Sequence, residues 1–300
     1  MTTKARSLKR WYVISPPYLW LLVFFLIPFF IVFKLSLSEV ATAIPPYEPV
    51  FSWATGISDF ISKLDFDNYS FIFGDPLYVN AYLSSLKIAF ISTLLTLLVA
   101  YPIAYGMARA PKSWQPTLMM MVILPFWTSF LIRIYAWIAI LKPEGFLTIF
   151  LMKLGLISEP LQIMNTYTAV YIGIVYSYLP FMILPLFASL EKINPSLLEA
   201  AQDLGSQPWR AFWQVTFPLS LPGVFAGCML VFIPVVGEFV IPDLLGGTET
   251  LMIGKTLWNE FFNNRDWPLA SAVAVLLLLV LIIPIVLFQR QQELEREAGR

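Results

Sequence analysis

Histidine is absent from this 300-residue chain, cysteine occurs once, and charged residues make up only 13% of it. Without histidine the chain lacks the commonest general base and a frequent metal ligand, so the composition argues against an enzyme. The single cysteine, Cys228, excludes an intrachain disulfide. Basic and acidic residues number 19 each, and this balance argues against a nucleic-acid partner. Because 58% of the residues are hydrophobic, against about 45–50% in soluble domains, lipid is the predicted solvent.

Six stretches are long and apolar enough to cross a bilayer, which takes about 20 residues. They are residues 15–37, 82–108, 116–141, 166–190, 222–242 and 268–288. The first has no charge between Trp11 and Phe33, which is longer than the roughly 7–15 apolar residues of a cleaved signal peptide, so we interpret it as an uncleaved anchor. The sequence therefore predicts one all-α membrane domain over residues 1–300, and a short helix around Phe146–Leu154 in an outer loop.

Basic residues predict the orientation, because they concentrate on the cytoplasmic side of membrane proteins. With a cytoplasmic N-terminus, eleven of them fall in inner segments and five in outer segments. Both termini are then cytoplasmic. The outer segments also hold twelve acidic residues, which would attract a cation and repel an anion. The alternative is that topology alone depletes the outer loops of bases. The long outer segment 38–81 is predicted to fold as a cap.

The inner loop 191–221 predicts two short helices. Asn194 is a good N-cap, Pro195 suits a first helical turn, and Gly205 is a natural stop, which gives a helix over 195–204. We expect Ser206 to cap a second helix and Pro218 to end it. Four residues share helical spacing on one face of that second helix: Trp209, Phe212, Trp213 and Thr216. From periodicity alone, the pair could lie at the membrane interface or dock a partner.

The same loop resembles the coupling-loop signature of ATP-binding-cassette importer permeases: Glu-Ala-Ala, three residues, Gly, nine residues, then Ile-x-Leu-Pro. Here the pattern is Glu199, Ala200, Ala201, Gly205 and finally Val-Thr-Phe-Pro ending at Pro218. Val for Ile and Phe for Leu are the departures, and both keep the apolar character. The resemblance implies a six-helix permease whose loop fits a cleft on a separate ATPase and couples ATP binding to a switch from inward- to outward-facing states.

Further stretches resemble polyamine permeases, and putrescine permeases most of all. They are residues 45–47, 127–137, 237–247 and 258–268. The resemblance implies half of a heterodimeric pathway in the bacterial inner membrane, working with a second permease, two ATPase copies and a periplasmic polyamine-binding protein. This subunit would bind no cofactor, because ATP and Mg would sit on the ATPase. The sequence itself has no Gly-x-x-x-x-Gly-Lys-Ser/Thr phosphate loop.

The cargo pathway is predicted around an acid inside the fifth span. Glu238 lies about 16 residues into that span, and a carboxylate within a membrane is by default a functional-site hypothesis. Asp243 follows near the outer mouth, with Phe239 four residues before it. Carboxylates beside aromatic faces suit a flexible diamine. Aromatic residues that could line the path are Trp127, Tyr135, Trp137, Tyr176, Tyr178 and Trp258.

Two sets of alternatives stay open. Glu238 could instead form a structural ion pair with Arg133 in the third span. The permease could carry another solute, such as thiamine, ferric iron or an anion, although the acidic outer side disfavours anions. A channel or carrier that works without an ATPase would leave the coupling loop without a role, and no inverted repeat is evident.

Overall fold

The computed structural model describes residues 14–50 and 61–298 of the chain. Within them, six helices are long and apolar enough to cross a membrane: Ile14–Ser36, Pro76–Arg109, Phe130–Lys153, Tyr167–Leu190, Pro208–Val236 and Trp267–Val286. Helices suit these runs because a bilayer offers no water to the backbone, so every peptide group must bond within its own segment. The predicted all-α membrane fold with six spans is confirmed.

We label the elements in chain order. The described part of the chain holds helix α1 (Ile14–Ser36), strands β1 (Glu39–Val40) and β2 (Tyr47–Glu48), and helices α2 (Asp67–Gly74), α3 (Pro76–Arg109), α4 (Gln115–Ile123), α5 (Phe130–Leu141), α6 (Phe146–Lys153), α7 (Tyr167–Leu190), α8 (Pro195–Asp203), α9 (Pro208–Ala211), α10 (Phe217–Val236), α11 (Val240–Leu245), α12 (Ile253–Trp258) and α13 (Trp267–Ala298). Helix α6 confirms the short helix predicted in that loop.

The chain divides into two compact units. The first contains the described residues up to Val79 together with Leu257–Leu279, and the second contains Asn80–Thr256 together with the residues from Val280 onward. Helices α3, α12 and α13 each have residues in both units.

In the first unit, α2 donates hydrogen bonds to backbone carbonyl groups at the C-terminal end of α1. The Asn68 side-chain amide donates to the carbonyl oxygens of Ser36 and Ser38 at 3.1 and 2.8 Å. The Tyr69 hydroxyl lies 2.7 Å from the Ser36 hydroxyl. Between these helices, β1 and β2 form a small antiparallel hairpin that pairs Val40 with Tyr47. The described parts of segment 38–81 are therefore folded, as the sequence predicts.

The second unit is built on the close pairing of α7 with α10. Glycines allow the approach, because a side chain at Gly223 would collide with Ser189 and the Pro185 carbonyl. One at Gly227 would collide with Met182. Small residues at a helix contact let two backbones come near enough for dense van der Waals packing within a membrane.

The predicted third span, 116–141, is not one continuous helix. Helix α4 tightens into a 3₁₀ turn over Leu124–Trp127, Thr128 is extended, and α5 begins at Phe130. Pro125 sits in that turn and contributes no backbone N–H. The second part of the interrupted segment continues through α5 toward α6.

Candidate coupling loop and cargo site

The first helix of the coupling loop, α8, forms as its sequence predicts. The Asn194 side chain accepts a hydrogen bond from the Ser196 N–H at 3.1 Å, and Pro195 is the first helical residue. An N-cap of this kind satisfies one of the backbone donors left free at a helix start. Helix α8 then runs to Asp203, one residue short of the predicted end.

A Schellman motif at Gly205 follows the C-terminal end of helix α8. The Gly205 N–H bonds the Gln202 carbonyl at 2.8 Å, and the Ser206 N–H reaches back to the Ala201 carbonyl at 2.9 Å. Gly205 has φ +82°, a left-handed conformation that costs glycine little and strains other residues. The backbone conformation therefore favours glycine at this position of the signature, as predicted, and the turn redirects the chain sharply after the Glu-Ala-Ala segment.

Two details of the second helix differ from the prediction. Gln207, not Ser206, is at the N-cap position of α9, and the buried Ser206 hydroxyl has no hydrogen-bond partner among the described residues. Pro218 does not end the helix, because the wide π turn Phe212–Thr216 carries the chain directly into α10. In that turn the Phe217 N–H bonds the Phe212 carbonyl, five residues back. Local π adjustments of this kind accommodate proline in membrane helices.

The predicted aromatic face of the second helix is divided between two surroundings. Phe212 packs edge-on against Tyr101 and Tyr105 of α3, with ring centroids 5.6 and 5.9 Å apart. Trp209 and Trp213 contact each other and are exposed. The Phe212 ring also contacts both tryptophan rings, with centroids 6.3 Å from Trp209 and 5.2 Å from Trp213, so the predicted aromatic face is present and α3 covers its Phe212 side.

The loop leaves the signature residues open. Helix α8 buries none of its residues, and Leu204 and Trp209 are 89% and 69% exposed. Among the residues that the structure describes, no cation pairs with the Glu199 carboxylate. Two contacts tie the flanks of the loop to the rest of the unit: Lys112 pairs with Glu191 at 2.8 Å, and the Tyr101 hydroxyl lies 2.8 Å from that of Ser220. The loop is exposed at its tip and anchored at its base.

Glu238 lies in a break between helices rather than inside a span. Helix α10 ends at Val236, and α11 begins at Val240. The Glu238 carboxylate accepts the Val240 N–H at 3.0 Å and the Ile241 N–H at 3.4 Å. Its other oxygen accepts the Tyr178 hydroxyl at 2.5 Å. The predicted position within a continuous fifth helix is wrong, because the side chain caps the start of α11 and so stabilises the break.

The alternative partner of Glu238 is not Arg133. The structure shows no ion pair between these two described residues. The Arg133 guanidinium lies over the Phe126 and Phe130 rings, 5.0 and 5.8 Å from their centroids. A cation over an aromatic face gains electrostatic stabilisation from the ring. Arg133 therefore interacts with aromatic rings at the break in the third span, and among the described residues the alternative ion pair with Glu238 does not form.

Asp243 projects from the exposed side of α11 and pairs with Lys255 of α12, with Nζ and Oδ1 3.0 Å apart. The opposite side of α11, through Ile241 and Leu245, packs against α7 so closely that Gly173 has no room for a side chain. Phe239 precedes α11, and its carbonyl accepts the Asp243 N–H at 3.0 Å. Glu238 thus lies just before the short, packed helix α11, and Asp243 lies within it.

Helix α12 completes this region with contacts that the sequence reasoning missed. The Ile253 N–H donates to the buried Ser85 hydroxyl of α3 at 2.8 Å. A side chain at Gly254 would collide with the carbonyl oxygens of Gly237 and Glu238. A lone glycine and a lone serine give no signal in a sequence, since their importance arises only from the residues that fold against them. In the sequence, Lys255 is only one of the five basic residues of the outer segments.

Of the aromatic residues predicted for the pathway, Tyr178 lies at this site, where its hydroxyl donates to Glu238, whereas Trp127, Tyr135 and Trp258 have other surroundings. Trp127 and Tyr135 are 73% and 58% exposed in the single chain. Trp258 stacks on Phe262 within the first unit, with ring centroids 4.1 Å apart. Their contribution to a pathway stays a prediction, and it concerns surfaces that a second permease could cover.

Comparison with protein families decides what kind of chain this is. The family described as "binding-protein-dependent transport system inner membrane component" matches residues 100–294, which include the coupling loop and the α11–α12 region. The chain belongs to this family. It is a multi-pass inner-membrane permease subunit of an ABC transporter, and such subunits work with other transporter components.

Two curated relatives align with most of the chain. The spermidine/putrescine transport system permease protein PotB of Haemophilus influenzae is 38% identical over 92% of this chain and 91% of its own length. PotB of Escherichia coli K12 is 43% identical over 76% of this chain and 82% of its own length.

Solved structures agree on the fold. A chain of a bacterial alginate ABC transporter, in complex with a periplasmic protein bound to alginate pentasaccharide, has a TM-score of 0.69 with coverage of 94% of both chains. A chain of the MetNI methionine ABC transporter has a TM-score of 0.53 and covers 71% of this chain and 94% of its own. At 16% and 18% identity these likenesses concern the architecture alone.

Proposed function

We propose that this chain is a permease subunit of an ATP-driven polyamine importer, with putrescine as the first cargo to test and spermidine as the second. The observation that carries the proposal is the 38% identity, over 92% of the chain, to a permease named for spermidine and putrescine. The cargo chemistry supports it, because Asp243 offers a half-exposed carboxylate that an ammonium group could reach.

The coupling loop faces the cytoplasm in this proposal, and both termini lie there too. The excess of basic residues in the inner segments supports this orientation. An exposed, capped helix suits insertion into a cleft of another protein, because Leu204 is exposed and no described cation pairs with Glu199. The signature residues Glu199, Ala200, Ala201 and Gly205 would form the contact, and Pro218 would pass its motion into α10.

The functional assembly then contains a second, different permease, two copies of an ATPase and a periplasmic polyamine-binding protein. ATP and Mg bind to the ATPase copies, and this subunit holds no cofactor and hydrolyses no ATP. The lack of a phosphate-loop motif in the sequence supports this division of labour.

The cargo would pass Asp243 first and the Glu238 region afterwards. Glu238 already accepts three hydrogen bonds, so a cargo ammonium there would compete with Tyr178 and two backbone donors. At Asp243, a cargo ammonium would compete with Lys255, the ion-pair partner that the described residues supply. We therefore assign the principal cargo contact on this subunit to Asp243, with Phe239 nearby, and give Glu238 the task of holding α11 in place.

The test is uptake by the complete complex reconstituted in lipid vesicles with its binding protein outside. We expect ATP-dependent accumulation of radiolabelled putrescine that unlabelled spermidine reduces and thiamine leaves unchanged. The control is the same complex with an ATPase that binds but cannot hydrolyse ATP. Uptake of thiamine, ferric iron or an anion in place of polyamine would contradict the cargo assignment, and uptake without the ATPase would contradict the whole proposal.

A further inference from the structure

The ion pair between Asp243 and Lys255 joins α11 to α12 where solutes can reach it. The two side chains are 50% and 28% exposed, and Nζ lies 3.0 Å from Oδ1. A partly exposed ion pair is held weakly, because water competes for both charges. Either partner can therefore exchange for another group of the same charge.

The backbone on each side of the pair is fixed by packing. Helix α11 is pressed onto α7, since a side chain at Gly173 would lie 2.6 Å from Leu245. Helix α12 is held by the bond from the Ile253 N–H to Ser85 and by the close approach of Gly254 to the Gly237 carbonyl. The movable part is the Lys255 side chain, which reaches across from one fixed helix to the other.

The chemistry of that side chain matches the proposed cargo. A lysine side chain is four methylene groups ending in a primary ammonium, and putrescine is four methylene groups with a primary ammonium at each end. We infer that Lys255 is an intramolecular competitor of the cargo. Its ammonium pairs with Asp243 when no polyamine is present, and an ammonium of the passing polyamine replaces it. This inference rests on the proposed function.

An exchange of this kind has two consequences. Asp243 stays paired throughout, so its charge is never left bare between one cargo molecule and the next. The cargo is also held only weakly, because each bound polyamine must displace a competitor that is always present at high local concentration. A transport site needs such weak binding, since tight binding would prevent release.

The inference also bears on selectivity. A cation that displaces Lys255 must replace the ammonium's directed N–H bonds to the carboxylate as well as its charge. An organic ammonium can do so, whereas a hydrated alkali-metal ion has no N–H donor. Any preference for an organic ammonium at Asp243 would come from these directed bonds, because competition with Lys255 lowers the affinity for every cation by the same factor.

The experiment measures equilibrium binding of radiolabelled putrescine to the complete transporter in lipid nanodiscs without the binding protein, alongside uptake in vesicles. Lys255→Met removes the competitor, and we expect it to tighten putrescine binding about three- to tenfold. Lys255→Arg keeps the charge and should stay near the wild-type affinity. Lys153→Met, which removes an exposed lysine at the end of α6, is the matched control and should leave the affinity unchanged. In an Asp243→Asn background, Lys255→Met should have no further effect.

The opposing result would show that Lys255 is a structural strut. In that case Lys255→Met lowers the thermal midpoint of the complex and leaves putrescine affinity unchanged or weaker, and the inference is overturned while wild-type uptake of putrescine stays intact. Failure of the proposed function looks different, because the wild-type complex would then neither bind nor import putrescine, and both statements would fall together.

Discussion

The coupling helix α8 and the α11–α12 region are stabilised by different kinds of contact. The coupling helix α8 buries no residue, and its shape comes from local bonds: the Asn194 cap at one end and the Gly205 turn at the other. In the α11–α12 region, Glu238 is 9% exposed and bonds to Tyr178, 60 residues away in the chain. One region is ordered by itself and open to a partner, whereas the other is ordered by its neighbours.

This difference separates two tasks. A surface that receives force from another protein must keep its shape without that protein and yet present free side chains, as α8 does. A site that meets cargo must hold its carboxylates at set positions, and a partner for each carboxylate fixes where it lies. The two acids predicted for the cargo pathway each have partners: Glu238, just before α11, has Tyr178 and backbone donors, and Asp243 has Lys255.

The largest expected effect comes from reversing charge on the exposed region. Glu199→Arg should abolish ATP-dependent uptake, because it reverses the charge of a residue proposed to contact the ATPase. The ATPase activity should then no longer respond to the loaded binding protein. The fold should survive, since Glu199 is exposed and forms no ion pair among the described residues. Uptake and ATP hydrolysis are measured on the same vesicles.

Glu159→Arg is the control for that variant. It makes the same change at an exposed position between α6 and α7, far along the chain from the signature, and should leave uptake near the wild-type rate. If Glu199→Arg also transports normally at full membrane insertion, the coupling contact does not involve Glu199.

A smaller effect, on thermal stability as well as on uptake, is expected from Glu238 in the α11–α12 region. Glu238→Ala removes the acceptor for two backbone donors and the Tyr178 hydroxyl, and should lower the thermal midpoint by about 2–8 °C with a partial loss of uptake. Glu238→Gln keeps an acceptor for the Val240 N–H and should cost less on both measures. Differential scanning fluorimetry beside uptake assays checks this.

Loss of uptake without loss of thermal stability would instead assign Glu238 to the cargo path. A Glu238→Gln complex that melts at the wild-type temperature but imports no putrescine would mean that the negative charge itself contacts the cargo. Tyr178→Phe sharpens the comparison, because it removes one hydrogen bond and leaves the charge of Glu238 in place.

The difference between local and long-range contacts also explains which features the sequence predicts and which it does not. Asn194, Pro195 and Gly205 act on residues within a few positions of themselves, so their spacing predicts α8 almost to the residue. The six spans follow from length and apolarity. The π turn before Pro218 is a local adjustment that the proline alone does not reveal, and the break at Glu238 depends on contacts with α7 and α12, which no local pattern records. Lys255 gains its meaning only when α12 brings it to Asp243.

The most direct test of the account is a photo-activated cross-linker placed at Leu204, the most exposed apolar residue near the tip of the coupling loop. In the assembled transporter we expect an adduct with the ATPase subunit whose yield changes when ATP is added. An adduct with lipid alone, or labelling by a reagent confined to the outside of intact cells, would contradict the claim that this loop receives the work of ATP binding.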